Sequence, residues 1–194
     1  EYWSGSTVKD RIAGSLAMAA YAREVAKNYD VTIALHTDHC AKQNLDSWTE
    51  QLMHMEAEEV KAGRLPWFQS HMWDGSAIPL DENLEIAKRL LQLAVDSHTV
   101  LEIEVGAVGG EEDGVVGEIN EKLYTSTADA IKTVEALGLG EKGRYITALT
   151  FGNVHGAYKP GHVKLRPELL GTIQEEVAAH YGLDHRPFDL VMHG

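Results

Sequence analysis

Two hydrophobic patterns alternate along the chain, one with a helical period and one with an extended period. Apolar residues spaced three or four apart predict amphipathic helices in five blocks, at 8–20, 45–55, 84–95, 125–138 and 167–181. Short apolar runs between these blocks predict strands, at 31–36, 67–73, 99–106, 144–152 and 188–194. The pattern therefore predicts a helix followed by a strand, five times over.

Capping signals support the ends of the predicted helices. Asp81 precedes the third helix and is expected to cap it, and Pro167 suits the first turn of the last helix. Glycines follow the second, fourth and fifth helices, where this residue commonly ends a helix; they are Gly63, Gly138 and Gly182.

Alternation of strands and helices favours right-handed βαβ units and therefore a parallel sheet. The continuous apolar runs VTIAL and FDLVM fit strands that are covered on both faces. Both an open doubly wound sheet and a (β/α)8 barrel satisfy this pattern. No glycine-rich fingerprint follows an early strand, so a dinucleotide-binding fold is not predicted.

Chemically versatile side chains accompany each predicted strand end. They are His36, Asp38 and His39 at the first, His71 and Asp74 at the second, Glu102 and Glu104 at the third, Asn153 and His155 at the fourth, and His193 with Gly194 at the fifth. In a barrel the carboxyl ends of all strands lie on one face, where active sites are built. We therefore expect His39, His155 and His193 to converge.

Three imidazoles at one point are typical of a catalytic zinc site, which keeps a fourth position open for water or substrate. Glu104 and Asp74 are expected to add a ligand or to form a second cation site. A lone histidine at a strand end is more often a hydrogen-bonded structural residue. Because three strand ends each supply one histidine, metal binding is favoured here.

Three further features each allow two interpretations. Cys40 is either a nucleophile or, more commonly, a small buried hydrophobic residue. Lys159 can form a Schiff base, but its position in a loop favours solvent exposure or anion binding. The acidic run GGEEDG at 109–114 is either a solvated turn or a mobile lid that carries a carboxylate base.

Charge and composition narrow the range of partners. The net charge of −13 argues against nonspecific binding to nucleic acids or anionic membranes. No window of about 18 residues is continuously apolar, so no transmembrane helix is predicted. The single cysteine excludes an internal disulfide and fits a reducing, cytoplasmic setting.

A set of longer motifs covers nearly the whole chain. The motifs are ALHTDHC (34–40), FQSHMWDGS (68–76), LEIEVGAVGGEEDG (101–114), LYTS (123–126), TFGNVHGAYKPG (150–161), KLRPE (164–168) and MHG (192–194). Together they resemble class II fructose-bisphosphate aldolase. The resemblance implies a (β/α)8 barrel, usually dimeric, in which zinc supports reversible cleavage of fructose 1,6-bisphosphate. The products would be dihydroxyacetone phosphate and glyceraldehyde 3-phosphate.

The same resemblance implies roles for individual residues. Asp38 matches the acid/base that moves the proton of the C4 hydroxyl, and Glu112, with its neighbour Glu111, matches a mobile-loop carboxylate that exchanges the C3 proton. The zinc ligands of the family match His39, His155 and His193, and its carboxylates at alternative or second metal positions match Glu104 and Asp74. Positions near the substrate phosphate match Gly156, Gly194 and Lys159. Supporting or packing roles are expected for His36, Thr37 and Cys40.

Chain length limits what this resemblance predicts. A closed barrel has eight strands and about 250 residues, whereas five strands are predicted here. We expect 1–194 to form a single domain that is an internal portion of a larger aldolase, unable to fold stably or turn over substrate alone. Three alternatives remain: a tagatose-bisphosphate-type aldolase, which the GGEEDG loop disfavours, a barrel zinc hydrolase, and a non-catalytic metal-stabilised binding module.

Overall fold

A computed structural model describes residues 10–107, 109–112, 115–117, 123–156, 161 and 163–194. The helices are α1 (Arg11–Ala26), α2 (Lys42–Leu45), α3 (Thr49–Lys61), α4 (Leu80–Ser97), α5 (Thr127–Leu137) and α6 (Glu168–Tyr181). The strands are β1 (His36–Thr37), β2 (Ser70–Trp73), β3 (Val100–Val105), β4 (Gly109–Glu112), β5 (Val115–Gly117), β6 (Tyr145–Leu149), β7 (Val154–His155) and β8 (Leu190–Val191).

The main sheet has five strands in the order β1-β2-β3-β6-β8, and every neighbouring pair is parallel. These are the five strands that the sequence predicts, in the same order along the chain. A helix lies between each pair of consecutive strands, as βαβ units require. The predicted parallel sheet is therefore confirmed.

A second, smaller sheet was not predicted from the sequence. It has the order β5-β4-β7, with an antiparallel β4–β5 pair and a parallel β4–β7 pair. In the parallel pair, Gly110 lies opposite His155. The backbone of the acidic GGEEDG segment is thus joined to the strand that carries one of the candidate ligands.

Alternating side chains on β3 divide the main sheet into a helix-covered face and a face that carries carboxylates. Leu101, Ile103 and Val105 are fully buried and join the main hydrophobic core with Leu90 of α4 and Leu137 of α5. The intervening residues point to the opposite face, because successive side chains of a strand alternate. Those residues are Glu102 and Glu104, and both are also almost completely buried, at 2% and 1% exposed.

The first and last strands are shorter than predicted. Residues 31–35 precede the strand ladder, and Val31 and Ile33 are 58% and 40% exposed. In the described residues β1 and β8 lie at the two edges of the sheet and each pairs on one side. β1 pairs with β2 only at His36–Thr37, and β8 pairs with β6 only at Leu190–Val191.

Two helix predictions also need correction. The helix predicted at 45–55 is two helices, α2 and α3, because the backbone leaves the helical region at Trp48. Asp81 is not a cap: Pro79 occupies the cap position and Asp81 lies in the first turn of α4, where its charge favours the positive end of the helix dipole. By contrast, Gly182 ends α6 in a left-handed conformation, as predicted.

Candidate metal centre

Three histidines from separate elements meet at the carboxyl-terminal side of the main sheet. His39 follows β1, His155 lies on β7 and His193 follows β8. One ring nitrogen from each lies within 4.8 Å of the others. The ring centroids are 4.6 Å apart for His39 and His193, 5.4 Å for His39 and His155, and 6.1 Å for His155 and His193. The convergence predicted from the strand ends is present.

Carboxylates orient two of these rings. Asp74 Oδ2 lies 3.4 Å from His39 Nδ1, and His193 Nε2 donates to Glu102 Oε1 at 2.6 Å. The remaining nitrogens, His39 Nε2 and His193 Nδ1, face each other at 3.0 Å. A carboxylate on one nitrogen of a histidine fixes its tautomer and leaves the other nitrogen to bind a metal.

The donor set fits a divalent cation that favours imidazole nitrogen. Zn²⁺ binds histidine nitrogen at about 2.0–2.1 Å in a tetrahedral arrangement, which places ligand nitrogens about 3.3 Å apart. The 3.0 Å separation of the two facing nitrogens is close to this value. Small side-chain shifts would place His155 at the same ion, because its nitrogen is already within 4.8 Å of the other two.

A second group of candidate ligands shares His39. Asp74 and Glu104 each place a carboxylate oxygen within 4.8 Å of a His39 nitrogen and of each other. Burial alone would raise the pKa of Asp74, but hydrogen bonds from His39 and from the side chain and backbone of Ser76 outweigh it and lower the pKa to about 2. Asp74 is therefore ionised at neutral pH, as a cation ligand must be.

Asp38 differs from the other carboxylates of the site in being open to solvent. Its side chain is 69% exposed, and its Oδ1 lies 3.8 Å from His39 Nε2, the nitrogen that faces His193. An exposed carboxylate at this distance can exchange protons with a molecule that enters the site. The other acidic neighbours, Glu102 and Glu104, are buried within the sheet.

A side-chain hydrogen bond links the segment before β7 to the segment after β8, beside the histidines. Asn153 Nδ2 donates to the His193 carbonyl oxygen at 2.6 Å, and its Oδ1 accepts the Phe151 N–H at 3.0 Å. Gly194 has a φ of +123°, and a Cβ there would lie 3.1 Å from the Val154 carbonyl oxygen. The conformation favours glycine, and an added Cβ would also crowd the Val154 carbonyl.

Glu102 also connects the ligand cluster to β1. Its Oε2 lies 3.3 Å from His36 Nε2, and His36 Nδ1 lies 2.8 Å from Ser70 Oγ. Burial lowers the pKa of His36, and the nearby Glu102 charge partly opposes this effect. His36 therefore contacts the cluster through Glu102, a residue for which the sequence predicted no role. The alternation of Glu102 and Glu104 on one strand was the signal available for it.

Comparison with known proteins identifies the family. The sequence profile of the family described as "Fructose-bisphosphate aldolase class-II" matches residues 3–194. The chain belongs to this family. The resemblance found in the motifs is therefore confirmed, and so is the choice of an aldolase family over a barrel hydrolase.

Relatives within the family show how much of the fold is present. A fructose-bisphosphate aldolase of Mycobacterium tuberculosis is 57% identical over 196 residues, covering 100% of this chain and 57% of the relative. One of Neurospora crassa is 39% identical over 203 residues, covering 100% and 56%. A crystal structure of fructose-bisphosphate aldolase from Campylobacter jejuni matches with a TM-score of 0.77 and 38% identity, over 94% of this chain and 51% of that chain.

The chain thus spans little more than half the length of these aldolases. Its five-stranded parallel sheet and alternating helices form part of a TIM-barrel-type fold. This decides between the two folds that the hydrophobic pattern left open. None of the helices in the described part of the chain has the length and apolar character needed to cross a bilayer.

Several predicted aldolase residues lie beyond the described side chains. Glu111 and Glu112 have a described backbone, in β4, but their side chains lie outside the described part of the chain, and Lys159 lies outside it entirely. Gly156 directly follows β7 and has a positive φ of 73°. It therefore lies next to His155 of β7. Gly194 approaches the same strand at Val154.

His71 does not join the metal cluster, contrary to the grouping of strand-end residues. It lies three residues before Asp74, and residues an odd number apart on a strand point to opposite faces. His71 is fully buried on the helix-covered face, where it contacts Glu56 of α3. The odd spacing was visible in the sequence and was sufficient to separate the two side chains.

Cys40 packs in the core rather than acting as a nucleophile. Its side chain is fully buried within the main hydrophobic cluster. Burial raises the pKa of its thiol. A buried thiol with a raised pKa carries little of the thiolate that nucleophilic chemistry requires.

Proposed function

We propose that this chain carries the metal-binding half of an enzyme that reversibly cleaves fructose 1,6-bisphosphate to dihydroxyacetone phosphate and glyceraldehyde 3-phosphate. The observation that carries the proposal is the cluster of His39, His155 and His193 in a chain of the class II aldolase family. Two relatives are named fructose-bisphosphate aldolase, which supports fructose 1,6-bisphosphate as the substrate. The carboxylates behind His39 and His193, which are Asp74 and the buried Glu102, support metal binding over a structural role for these rings.

In this proposal the three histidines hold one divalent cation, which we take to be zinc. When bound, the cation supplies a Lewis acid that polarises the substrate ketone and offsets the negative charge that develops during cleavage. Asp74 and Glu104 provide an alternative or second cation position that shares His39. Glu102 holds His193 in the tautomer that binds.

Asp38 and Glu112 divide the proton transfers. Asp38 accepts the proton of the C4 hydroxyl as the C3–C4 bond breaks, so that C4 becomes the aldehyde carbon of glyceraldehyde 3-phosphate. The electron pair of the broken bond stays with the three-carbon ketose fragment. Glu112, with Glu111 as its neighbour, returns a proton to C3 of that fragment, which completes dihydroxyacetone phosphate. One carboxylate beside His39 and a second on the acidic segment 109–114 are sufficient for the two steps.

Substrate phosphate is proposed to bind near Gly156, Gly194 and Lys159. Two of these are glycines whose positive φ angles, 73° and 123°, direct backbone groups that a side chain would otherwise cover. A lysine adds a positive charge to a chain whose net charge is −13. Local donors of this kind are needed because the overall charge repels a bisphosphate.

We also propose that the complete protein is a cytoplasmic homodimer. A single buried cysteine supports a reducing compartment. The dimer rests on the family resemblance, and sedimentation of the full-length protein tests it.

The decisive experiment is fructose 1,6-bisphosphate cleavage by the full-length protein, with and without a chelator. We expect activity that is lost on chelation, returns with zinc and is insensitive to borohydride, since no lysine Schiff base forms. Activity that persists in the chelator would contradict the proposal. Tagatose 1,6-bisphosphate in parallel distinguishes the two aldolase types, and a phosphate-release assay tests for hydrolysis.

A further inference from the structure

Three polar side chains are buried together on the helix-covered face of the sheet, away from the metal centre. Glu56 of α3 and His71 of β2 are fully buried, and Thr37 of β1 is 5% exposed. No role follows for them from the proton transfers or from the metal ligands. Burying such groups is costly unless every one of them is hydrogen-bonded, so the partners of each side chain matter.

The three side chains form a continuous chain of hydrogen bonds, the Glu56–His71–Thr37 relay. Glu56 Oε1 accepts the Phe68 N–H at 2.8 Å, and Oε2 lies 2.7 Å from His71 Nε2. His71 Nδ1 lies 2.8 Å from Thr37 Oγ1. Since a carboxylate only accepts, His71 donates from Nε2 to Glu56, and its Nδ1 pairs with the Thr37 hydroxyl. The carboxylate therefore fixes which nitrogen of His71 faces Thr37.

The relay ends next to the proposed catalytic residues. Thr37 directly precedes Asp38, and His39 follows. The β1 ladder that would otherwise fix this segment has only two paired positions, opposite Ser70 and His71. In the described residues β1 also lies at an edge of the sheet. Leu35 and Cys40 each accept a backbone N–H, from Gln69 at 2.8 Å and from Asp74 at 3.1 Å, so the backbone is held on both sides of Asp38 and His39. The relay adds a buried side-chain restraint directly before Asp38.

We propose that Glu56 is a positioning residue, which acts through His71 and Thr37 to hold the end of β1 so that Asp38 and His39 face the metal centre. This deepens the proposed function and rests on it. Glu56 lies on α3 and His71 on β2, so the relay ties the segment to two elements that the main core already fixes.

The relay is not a second catalytic site. A hydroxyl, an imidazole and a carboxylate in this order also form a nucleophilic triad. Such a triad needs a hydroxyl that substrate can reach, whereas Thr37 is 5% exposed and the other two members are fully buried. The Thr37 hydroxyl is also directed at His71 from within the sheet–helix interface. Positioning is the role that this geometry allows.

The test compares Glu56→Gln and Thr37→Val with Thr37→Ser in the full-length protein. A glutamine that still accepts the Phe68 N–H turns its amide N–H groups toward His71 Nε2, which removes the acceptor of that bond. Valine keeps the shape of Thr37 but leaves His71 Nδ1 without its hydroxyl partner, whereas serine keeps the hydroxyl. We expect kcat to fall about tenfold and the zinc dissociation constant to rise about tenfold in the first two variants. KM should stay within about twofold, and Thr37→Ser should resemble the wild type.

Zinc affinity is measured by competition with a chromogenic chelator, so it does not depend on aldolase turnover. Unchanged kcat and zinc affinity in folded Glu56→Gln and Thr37→Val, even with a lower Tm, would show that the relay only supports the fold and would overturn the proposal. If Glu56→Gln does not fold, the comparison of Thr37→Val with Thr37→Ser decides whether the relay has a positioning role. If the wild type cleaves no fructose 1,6-bisphosphate, the proposed function fails, and the zinc measurements still decide whether the relay positions His39.

Discussion

Adjacent residues of the HTDHC segment meet very different surroundings. The His39 side chain is 15% exposed and contacts Asp74 and His193, whereas the Asp38 side chain is 69% exposed. Cys40 beside them is fully buried. The irregular backbone that follows the two-residue strand lets Asp38, His39 and Cys40 point to solvent, to the metal centre and to the core, respectively. The proposed division of labour, with His39 as ligand and Asp38 as acid/base, rests on this divergence.

Asp38→Ala is expected to lower kcat by about 10²–10⁴-fold, the usual contribution of a positioned acid or base. Zinc content should remain close to one ion per subunit, because Asp38 lies 3.8 Å from His39 and takes no part in orienting its ring. Steady-state kinetics and metal analysis of the same preparation measure both quantities. Parallel loss of zinc and activity would instead make Asp38 a ligand.

Native Cys40 should react with a thiol reagent such as DTNB only when the protein unfolds. Its side chain is fully buried, and burial raises the pKa of the thiol. We expect Cys40→Ala to retain kcat within about twofold, since the thiol has no chemical role, and to lose about 1 kcal/mol of stability from the smaller side chain. Rapid labelling of the folded protein together with loss of turnover would restore the nucleophile interpretation.

At the scale of elements, α4 links β2 to β3, the strand that carries the buried Glu102 and Glu104. Asn83 of α4 accepts from Trp73 Nε1 at 2.7 Å and donates from Nδ2 to the Glu104 carbonyl oxygen at 2.8 Å. Asn83 is 3% exposed and Trp73 is fully buried, so neither partner has water as an alternative. The amide therefore fixes the end of β2, which leads to Asp74, relative to β3.

Gly75→Ala tests this link between elements. A Cβ at Gly75 would lie 2.2 Å from the Asn83 side-chain amide, which cannot shift without breaking its two buried hydrogen bonds. The expected loss is about 1–3 kcal/mol of unfolding free energy, the cost of leaving buried polar groups unpaired. Urea denaturation of the full-length protein provides the measurement.

Gly171→Ala is the matched control for that substitution. Gly171 lies within α6, and an added Cβ there meets nothing within 4 Å. Alanine should stabilise the helix by about 0.5–1 kcal/mol because it restricts the unfolded chain more than glycine does. A similar destabilisation in both variants would show that crowding at Asn83 is not the cause.

At the scale of the whole molecule, the metal centre exists only when distant parts of the chain are folded together. His39 and His193 are 154 residues apart, and they come from the two strands at opposite edges of the described sheet. The third histidine comes from the smaller sheet. An unfolded chain cannot bring the three together, so a bound cation stabilises only the folded state.

Zinc is accordingly expected to raise the stability of the full-length protein by about 2.7 kcal/mol at a free concentration 100 times its dissociation constant. Differential scanning calorimetry of the metal-free protein, with and without zinc, measures the corresponding rise in Tm. His193→Ala should abolish most of that rise, because one of three nitrogens is lost. An equal rise in this variant would place the cation elsewhere in the protein.

Much of this architecture could be predicted from local pattern. The five main strands, the helices between them and the histidines at their ends follow from periodicity, because a helix or a buried strand must place its apolar side chains on the core. The motifs that carry the resemblance follow the same strands. Strand length could not be predicted equally well, since pairing at the sheet edges depends on neighbours and not on the apolar run itself.

Local pattern and motifs were enough to predict the order of the five main strands, the chemistry available at their ends and the family. The tertiary structure alone decided which of those side chains meet: His39, His155 and His193 together, and His71 apart with Glu56 on the opposite face. It also joined the acidic segment to the strand of His155 through β4. The physical reason is that composition and period are local properties, whereas the face and the partners of a side chain depend on register between strands that are distant in sequence.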